Sequence, residues 1–227
     1  MLEASALTRR FGARVAVDRL DLTVAAGEAL AIFGPNGAGK STLCRLLTST
    51  LKPTSGTLRV AGKDPRRHEL PVKRMFGVVS HHTFLYDALS ARDNLLFFAR
   101  LFGVPEPAAR VAALLGTVGL ADRADDPVRG FSRGMQQRLA LARALLHEPE
   151  ILLLDEPFTG LDPQATRWLQ STLADLHGRG TTVLLVTHDP ARGLELSDRW
   201  ILLSRGRLAA SGDSRSTRRE RLEEALA

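Results

Sequence analysis

The sequence is poor in the features that mark secreted and membrane-spanning proteins. Its single cysteine, Cys44, excludes an internal disulfide framework and is typical of proteins from a reducing compartment. No apolar run approaches the roughly 18 residues that a membrane-crossing helix requires. The first residues, Met1 to Ala4, lack the basic head and the long apolar stretch of a signal peptide. These absences favour a protein that is neither secreted nor embedded in a bilayer.

The composition is that of an ordinary folded protein with a basic surplus. The chain has 227 residues, 44% of them apolar and 25% charged, which suits one large α/β domain or a core with a smaller lobe. Its 31 Lys and Arg against 25 Asp and Glu give a net charge of +6. Such a surplus suits a nucleic-acid partner or an anionic membrane surface. The basic residues are scattered, with the densest stretches at 63–74 and 215–221, so a solvated surface explains the charge equally well.

A glycine-rich stretch at residues 34–42 fits the phosphate-binding pattern G-x-x-x-x-G-K-[ST]. Glycines allow successive backbone N–H groups to curl around an anion. Lys40 adds a positive charge for the β- and γ-phosphates of a nucleotide, and the Ser41 hydroxyl can coordinate Mg²⁺. The predicted nucleotide-binding residues are Gly34, Pro35, Asn36, Gly37, Ala38, Gly39, Lys40, Ser41 and Thr42.

The sequence on both sides of this loop predicts a strand before it and a helix after it. Residues 29–33 form a continuous apolar run, typical of a strand buried on both faces. Residues 42–51 carry leucines at helical spacing, in a helix that starts near Lys40 and is stopped by Pro53. The positive end of that helix points at the phosphate site, which favours anion binding there.

The rest of the chain divides into a β-rich opening, a helical middle and an α/β close. Apolar periodicity predicts strands at 2–7, 15–24, 57–60, 151–154 and 183–186. It predicts helices at 90–103, 106–115, 135–146 and 163–177, then a hairpin at 200–203 and 207–210, and one short amphipathic helix after residue 212.

Two acidic residues, Asp155 and Glu156, follow the buried strand at 151–154. Open α/β sheets bind ligands at the carboxyl ends of their strands, so these carboxylates are predicted to face the phosphate loop. Asp155 is expected to share Mg²⁺ with Ser41. Glu156 is expected to polarise a water molecule that attacks the γ-phosphate.

The segment before the helix at 135–146 resembles the signature of ATP-binding-cassette (ABC) ATPases. The family pattern is Leu-Ser-Gly-Gly-Gln followed by a helix, and here Phe131, Arg133 and Met135 depart from it. A serine and a glycine at a helix start can form an anion site. The resemblance implies that the segment serves the γ-phosphate of a nucleotide held by the opposite subunit, through Ser132, Arg133, Gly134, Met135 and Gln136.

Three further elements resemble this family. Phe11 lies where an aromatic ring stacks on adenine. Gly160, Leu161 and Asp162 resemble the loop that crosses the dimer interface. His188, after the strand at 183–186, matches the switch histidine, which implies a hydrogen bond to the γ-phosphate and a contact with the catalytic Glu156.

One position departs from the family. A glutamine that contacts Mg²⁺ is replaced by His81 or His82, and an imidazole does not reproduce both hydrogen bonds of an amide. The stretch from His81 to Tyr86 and the following residues 89–95 resemble the haem exporter ATPase of cytochrome c maturation. Adjacent side chains on a strand point to opposite faces, so no haem ligation by this pair is implied.

The resemblance implies an α/β fold with a P-loop NTPase core, an N-terminal antiparallel β subdomain and an inserted α-helical subdomain. The expected boundaries within this single domain are 1–83 and 148–212 for the core, 84–147 for the helical part and 213–227 for the tail. The implied function is hydrolysis of ATP with Mg²⁺ by the ATP-binding subunit of a transporter, on the cytoplasmic face of the cell membrane. The implied partners are a transmembrane permease and a second copy or a related ATPase subunit, and the transported compound would be haem or a small molecule.

Two other functions stay open at this point. A soluble ABC ATPase that acts on nucleic acid or ribosomes would carry two cassettes or a long coiled-coil insertion, which this sequence lacks, so no direct nucleic-acid partner is expected. Its binding would weaken strongly with salt. Glu156 and His188 argue against a regulatory cassette that binds ATP without hydrolysing it, although the missing glutamine keeps that alternative open.

Overall fold

The computed structural model describes residues 1–80 and 82–226, so the prediction for His81 lies outside the described residues. The strands are β1 Leu2–Phe11, β2 Arg14–Val24, β3 Ala29–Phe33, β4 Ser55–Val60, β5 Phe76–Val79, β6 Ile151–Asp155, β7 Thr182–Val186, β8 Arg199–Ser204 and β9 Arg207–Asp213. The helices are α1 Lys40–Leu47, α2 Glu69–Arg74, α3 Ala91–Phe102, α4 Pro107–Thr117, α5 Arg133–Leu145, α6 Pro163–Gly178, α7 Pro190–Glu195 and α8 Arg219–Leu226.

The strands form two sheets. A three-stranded antiparallel sheet has the order β2-β1-β4, and a six-stranded sheet has the order β5-β6-β7-β3-β8-β9. In the larger sheet all neighbours are parallel except β8 and β9, which form the predicted hairpin. All five residues of β3 and of β7 are buried, as expected of parallel strands covered on both faces. The parallel order places the carboxyl ends of β3, β6 and β7 at one edge of the sheet.

The helices α3, α4 and α5 pack around an apolar cluster of their own. The Ser90 side chain caps α3 by accepting from the backbone N–H of Asp93, and Gly103 ends the helix in the left-handed conformation. The cluster contains Leu95, Val111, Leu114, Leu139 and Leu146 among its buried side chains. The middle of the chain is therefore a separate helical layer, and its boundaries at residues 84 and 147 stay a prediction.

Some elements differ from the sequence prediction. Helix α1 ends at Leu47 rather than residue 51, because the Thr48 hydroxyl bonds the carbonyl of Cys44 and Ser49 adopts a left-handed backbone. The short helices α2 and α7 carry too few apolar positions for a periodic signal. His82 does not lie on a strand as predicted, since β5 ends at Val79 and His82 lies in a bend beyond it.

Across residues 1–80 and 82–226, no helix has the length and apolar character needed to cross a bilayer.

Candidate nucleotide-binding site

The candidate site lies where three parallel strands of the large sheet end. Ile32 of β3 and Asp155 of β6 both pair with Val186 of β7, so the three strand ends lie level. β3 leads into the glycine loop and α1, β6 ends in the acidic pair, and β7 leads to His188. The parallel register thus brings together three segments that lie far apart in sequence.

The glycine loop turns back on itself in front of α1. Gly39 adopts φ +105°, and a Cβ there would lie 2.3 Å from the carbonyl oxygen of Ala16, so both its conformation and its surroundings require glycine. The ammonium of Lys40 donates to the carbonyls of Gly34 and Pro35, at 2.6 and 3.1 Å. The cation is therefore held over the loop that it is predicted to serve.

A cleft of about 640 Å³ opens beside this loop. Its lining includes most of the predicted nucleotide-binding residues together with Phe11, Asp155, Glu156 and His188. Gly34 and Pro35 do not line it, and their carbonyls accept from Lys40. Three lining residues were not predicted from the sequence: Arg14, Ala16 and Thr159.

Glu156 and His188, which both line the cleft, contact each other. Nδ1 of His188 lies 2.7 Å from Oε2 of Glu156, and the Glu156 side chain is 25% exposed. Glu156 has φ +53°, an unusual conformation for a glutamate, and its backbone N–H donates to the carbonyl of Val186 at 2.9 Å. The hydrogen bond to β7 thus helps to fix the strained backbone of Glu156, and with it the direction of the side chain.

Asp155 faces the helix that follows the glycine loop. Burial raises the pKa of the Cys44 thiol on that helix, and the negative charge of Asp155 raises it further. Helix α1 also packs against β6, the strand that ends at Asp155. Asp155 and the exposed Ser41 hydroxyl both line the cleft, and their oxygen atoms are the ligand type that Mg²⁺ prefers. The two side chains therefore fit the predicted metal contact.

Phe11 stands at the mouth of the cleft. It ends β1, its side chain is 44% exposed, and the guanidinium of Arg9 lies 4.6 Å from its ring centroid. Arg14 pairs with Phe11 across the β1–β2 hairpin, which explains why it also lines the cleft. The hairpin turn at Gly12, next to a predicted base-stacking ring, was the sequence signal that could have found Arg14.

The signature residues lie outside this cleft. The Ser132 side chain caps α5 by accepting from the backbone N–H of Met135 at 3.2 Å. The Asp162 side chain caps α6 by accepting from the backbone N–H of Ala165 at 2.8 Å. A methyl group on Gly160 would lie 3.8 Å from Cγ of Arg133, so the signature and the loop at 160–162 are adjacent. The remaining residues of the two segments are Gly134, Met135, Gln136 and Leu161.

His82 also does not line the cleft. Its backbone carbonyl accepts a hydrogen bond from the Ser80 hydroxyl at 2.8 Å, and its ring centroid lies 6.4 Å from that of Phe84. The predicted metal contact of this position stays a prediction.

A family model described as ABC transporter matches residues 17–159. The chain belongs to the ABC transporter family. It is 42% identical over 206 residues to the daunorubicin resistance ATP-binding protein DrrA3 of Streptomyces coeruleorubidus, covering 90% of this chain and 65% of that protein. It is 39% identical to a Nod factor export ATP-binding protein I of Burkholderia orbicola, covering 90% of this chain and 68% of that protein. This ABC chain thus spans about two thirds of the length of these relatives.

Solved ABC structures have the same fold. The ATP-binding subunit of an ABC transporter superposes with a TM-score of 0.89 at 28% identity, covering 100% of this chain and 99% of that one. A dimeric ATP-binding cassette in a post-hydrolysis state, bound to ADP and Pi, gives a TM-score of 0.85 at 27% identity, over 96% of this chain and 100% of that chain. The predicted fold class is confirmed. The narrower resemblance to the haem exporter ATPase stays a prediction.

Proposed function

We propose that this ABC chain binds and hydrolyses ATP as the ATP-binding subunit of an export system. The observation that carries the proposal is the single cleft that holds the glycine loop, Asp155, Glu156 and His188. Daunorubicin resistance and Nod factor export, which name two of its relatives, support export of a small molecule. Haem is one candidate cargo, on the residue pattern around His82 alone.

In this proposal the phosphates of ATP take the place of two backbone carbonyls that accept hydrogen bonds from the Lys40 ammonium. Lys40 exchanges the carbonyls of Gly34 and Pro35 for oxygens of the β- and γ-phosphates. Phe11 stacks on the base, and Ser41 and Asp155 hold Mg²⁺. The metal ion, when bound, neutralises charge that develops on the phosphates during transfer.

Hydrolysis itself then requires one proton acceptor and careful positioning. Glu156 accepts the proton of the attacking water, while His188, hydrogen-bonded to its carboxylate, fixes the direction in which the carboxylate faces. Most of the rate enhancement comes from the fixed charges and backbone N–H groups around the phosphates.

A second subunit would complete the site. The signature residues lie outside the cleft of their own chain, which supports the proposal that Ser132 and its neighbours contact the nucleotide of a partner copy. The dimeric solved cassettes support the same arrangement. Closure of such a dimer would act on a transmembrane permease at the cytoplasmic face of the membrane, through the helical layer.

Lys40→Ala tests the nucleotide site. We expect ATP turnover to fall by about a hundredfold or more, because the charge that stabilises the developing phosphate anion is lost. The matched control is Lys73→Ala, since Lys73 forms a surface ion pair with Glu69 on α2 and does not line the cleft. Turnover is measured as phosphate release from Mg²⁺ and ATP. Equal turnover in wild type and Lys40→Ala would reject this site, and no turnover in the wild type would favour a non-hydrolysing regulatory cassette.

A further inference from the structure

Arg143 of α5 and His147, which lies in the turn just after that helix, cover the open edge of the large sheet. β5 is the edge strand of the sheet. The carbonyl of Met75, just before β5, accepts the N–H of Ile151 on β6. Successive carbonyls on a strand alternate in direction, so those of Phe76 and Val78 point away from β6. Nη2 of Arg143 donates to the Val78 carbonyl at 2.8 Å, and Nε2 of His147 bonds the Phe76 carbonyl at 3.1 Å. Two side chains four residues apart thus bond two carbonyls that lie two residues apart on the strand.

The helix approaches the strand closely between these two bonds. A Cβ on Gly77 would lie 2.5 Å from the carbonyl oxygen of Ala144 and 2.9 Å from Cγ of Pro149. Glycine is therefore required where α5 passes over β5. This contact joins the helix that begins at the signature to the strand that leads toward His82.

Arg143 has a second set of contacts that His147 lacks. Its guanidinium lies 5.6 Å from the ring centroid of Phe84 and 5.3 Å from that of Phe98 on α3. Burial lowers the pKa of Arg143 to about 10, so the group stays charged at neutral pH. His147 packs instead on Phe102, with ring centroids 4.5 Å apart. Arg143 thus contacts the sheet, the chain beyond it and the helical layer at once.

Phe84 is held in a conformation that it would not adopt alone. Its φ is +54°, in the left-handed region that large side chains avoid, although its side chain is 59% exposed. A strained residue persists only where its surroundings fix it, and the guanidinium of Arg143 is one such contact. The other end of the segment is fixed as well, because Val79 at the end of β5 pairs with Leu154, the residue before Asp155.

We propose that Arg143 is a positioning residue for ATP hydrolysis, which sets the course of the chain around His82 by holding Val78 on one side of it and Phe84 on the other. The inference rests on the proposed function. Arg143 does not line the cleft, so it acts through this segment and not by touching the nucleotide. Through α5 and Phe98 it also links that segment to the signature and to the helical layer.

The test compares Arg143→Met with His147→Leu. Each change removes one bond to an outward carbonyl of β5. Arg143→Met also removes the contacts with Phe84 and Phe98, so a purely structural role would appear in the unfolding midpoint and not in kcat alone. Steady-state kcat and KM for ATP are measured together with urea unfolding midpoints. We expect Arg143→Met to lower kcat by about tenfold with KM changed less than about twofold, because positioning acts on the transition state. We expect His147→Leu to leave kcat within about twofold of wild type.

Arg143→Lys keeps a cation near both rings and a donor for the Val78 carbonyl. It is expected to recover at least about half of the kcat lost in Arg143→Met. If Arg143→Met does not fold, Arg143→Lys is compared with His147→Leu instead. Equal kcat in Arg143→Met and His147→Leu, or no recovery with lysine, would overturn the inference while leaving the proposed function intact. Absence of turnover in the wild type would instead overturn the proposed function and the inference with it.

Discussion

Replacing Glu156 with glutamine is expected to lower the rate of ATP hydrolysis by at least about a hundredfold, because an amide does not accept the proton of the attacking water. The amide oxygen still accepts a hydrogen bond from His188, so the geometry of the cleft is retained. ATP affinity is expected to change by less than about threefold, since the loop and Lys40 are untouched. Phosphate release measures the first effect, and equilibrium binding of a fluorescent ATP analogue measures the second.

Glu150→Gln is the matched control for this substitution. Glu150 is an exposed glutamate that precedes β6, at the opposite end of the strand from the acidic pair. Its replacement removes the same charge and is expected to leave turnover unchanged. Equal activity of wild type and Glu156→Gln would remove Glu156 from the mechanism.

Replacing Gly39 with alanine is expected to cost about 3 kcal/mol of unfolding free energy, from the positive φ and the overpacking together. The added Cβ would lie 2.3 Å from a backbone oxygen of β2, which cannot move without disturbing the antiparallel sheet. ATP binding is expected to be lost at millimolar nucleotide, because the backbone N–H groups at the start of α1 shift with Gly39. Urea unfolding and nucleotide titration check the two effects.

Gly116→Ala serves as the reference for that measurement. Gly116 lies on the exposed side of α4, where an added Cβ meets no atom within 4 Å. Alanine there is expected to stabilise the chain by about 0.5–1 kcal/mol, since it favours the helix. A Gly39→Ala protein as stable as wild type and able to bind ATP would show that the loop does not need its left-handed turn.

The sequence predicted the parts of the site that rest on local chemistry. The glycine loop, the strand before it and the acidic pair are each a short stretch whose residue types suit one conformation. The expected strand at 29–33 is β3 to the residue, because five consecutive apolar residues fit only a fully buried position. The residues of such a stretch determine its local structure, so it can be predicted without knowing which distant residues it contacts.

The remainder depends on which segments meet in space. Arg14 reaches the cleft through strand pairing with Phe11, and Arg143 reaches β5 across 65 positions of sequence. The hairpin turn at Gly12 marks the position of Arg14 but not its contact with the cleft, and no local pattern in the sequence distinguishes Arg143. The sequence also did not predict that α1 ends at Leu47, because the left-handed residue that follows is Ser49 and not a glycine.

The central claim is that the glycine loop and the acidic pair act on the same triphosphate, and a crystal structure of Glu156→Gln with ATP and Mg²⁺ tests it most directly. We predict that the β- and γ-phosphates lie against Lys40, with the metal between Ser41 and Asp155. We also predict that Ser132 of the partner subunit covers the γ-phosphate. A triphosphate bound away from Lys40 and Asp155 would contradict the account.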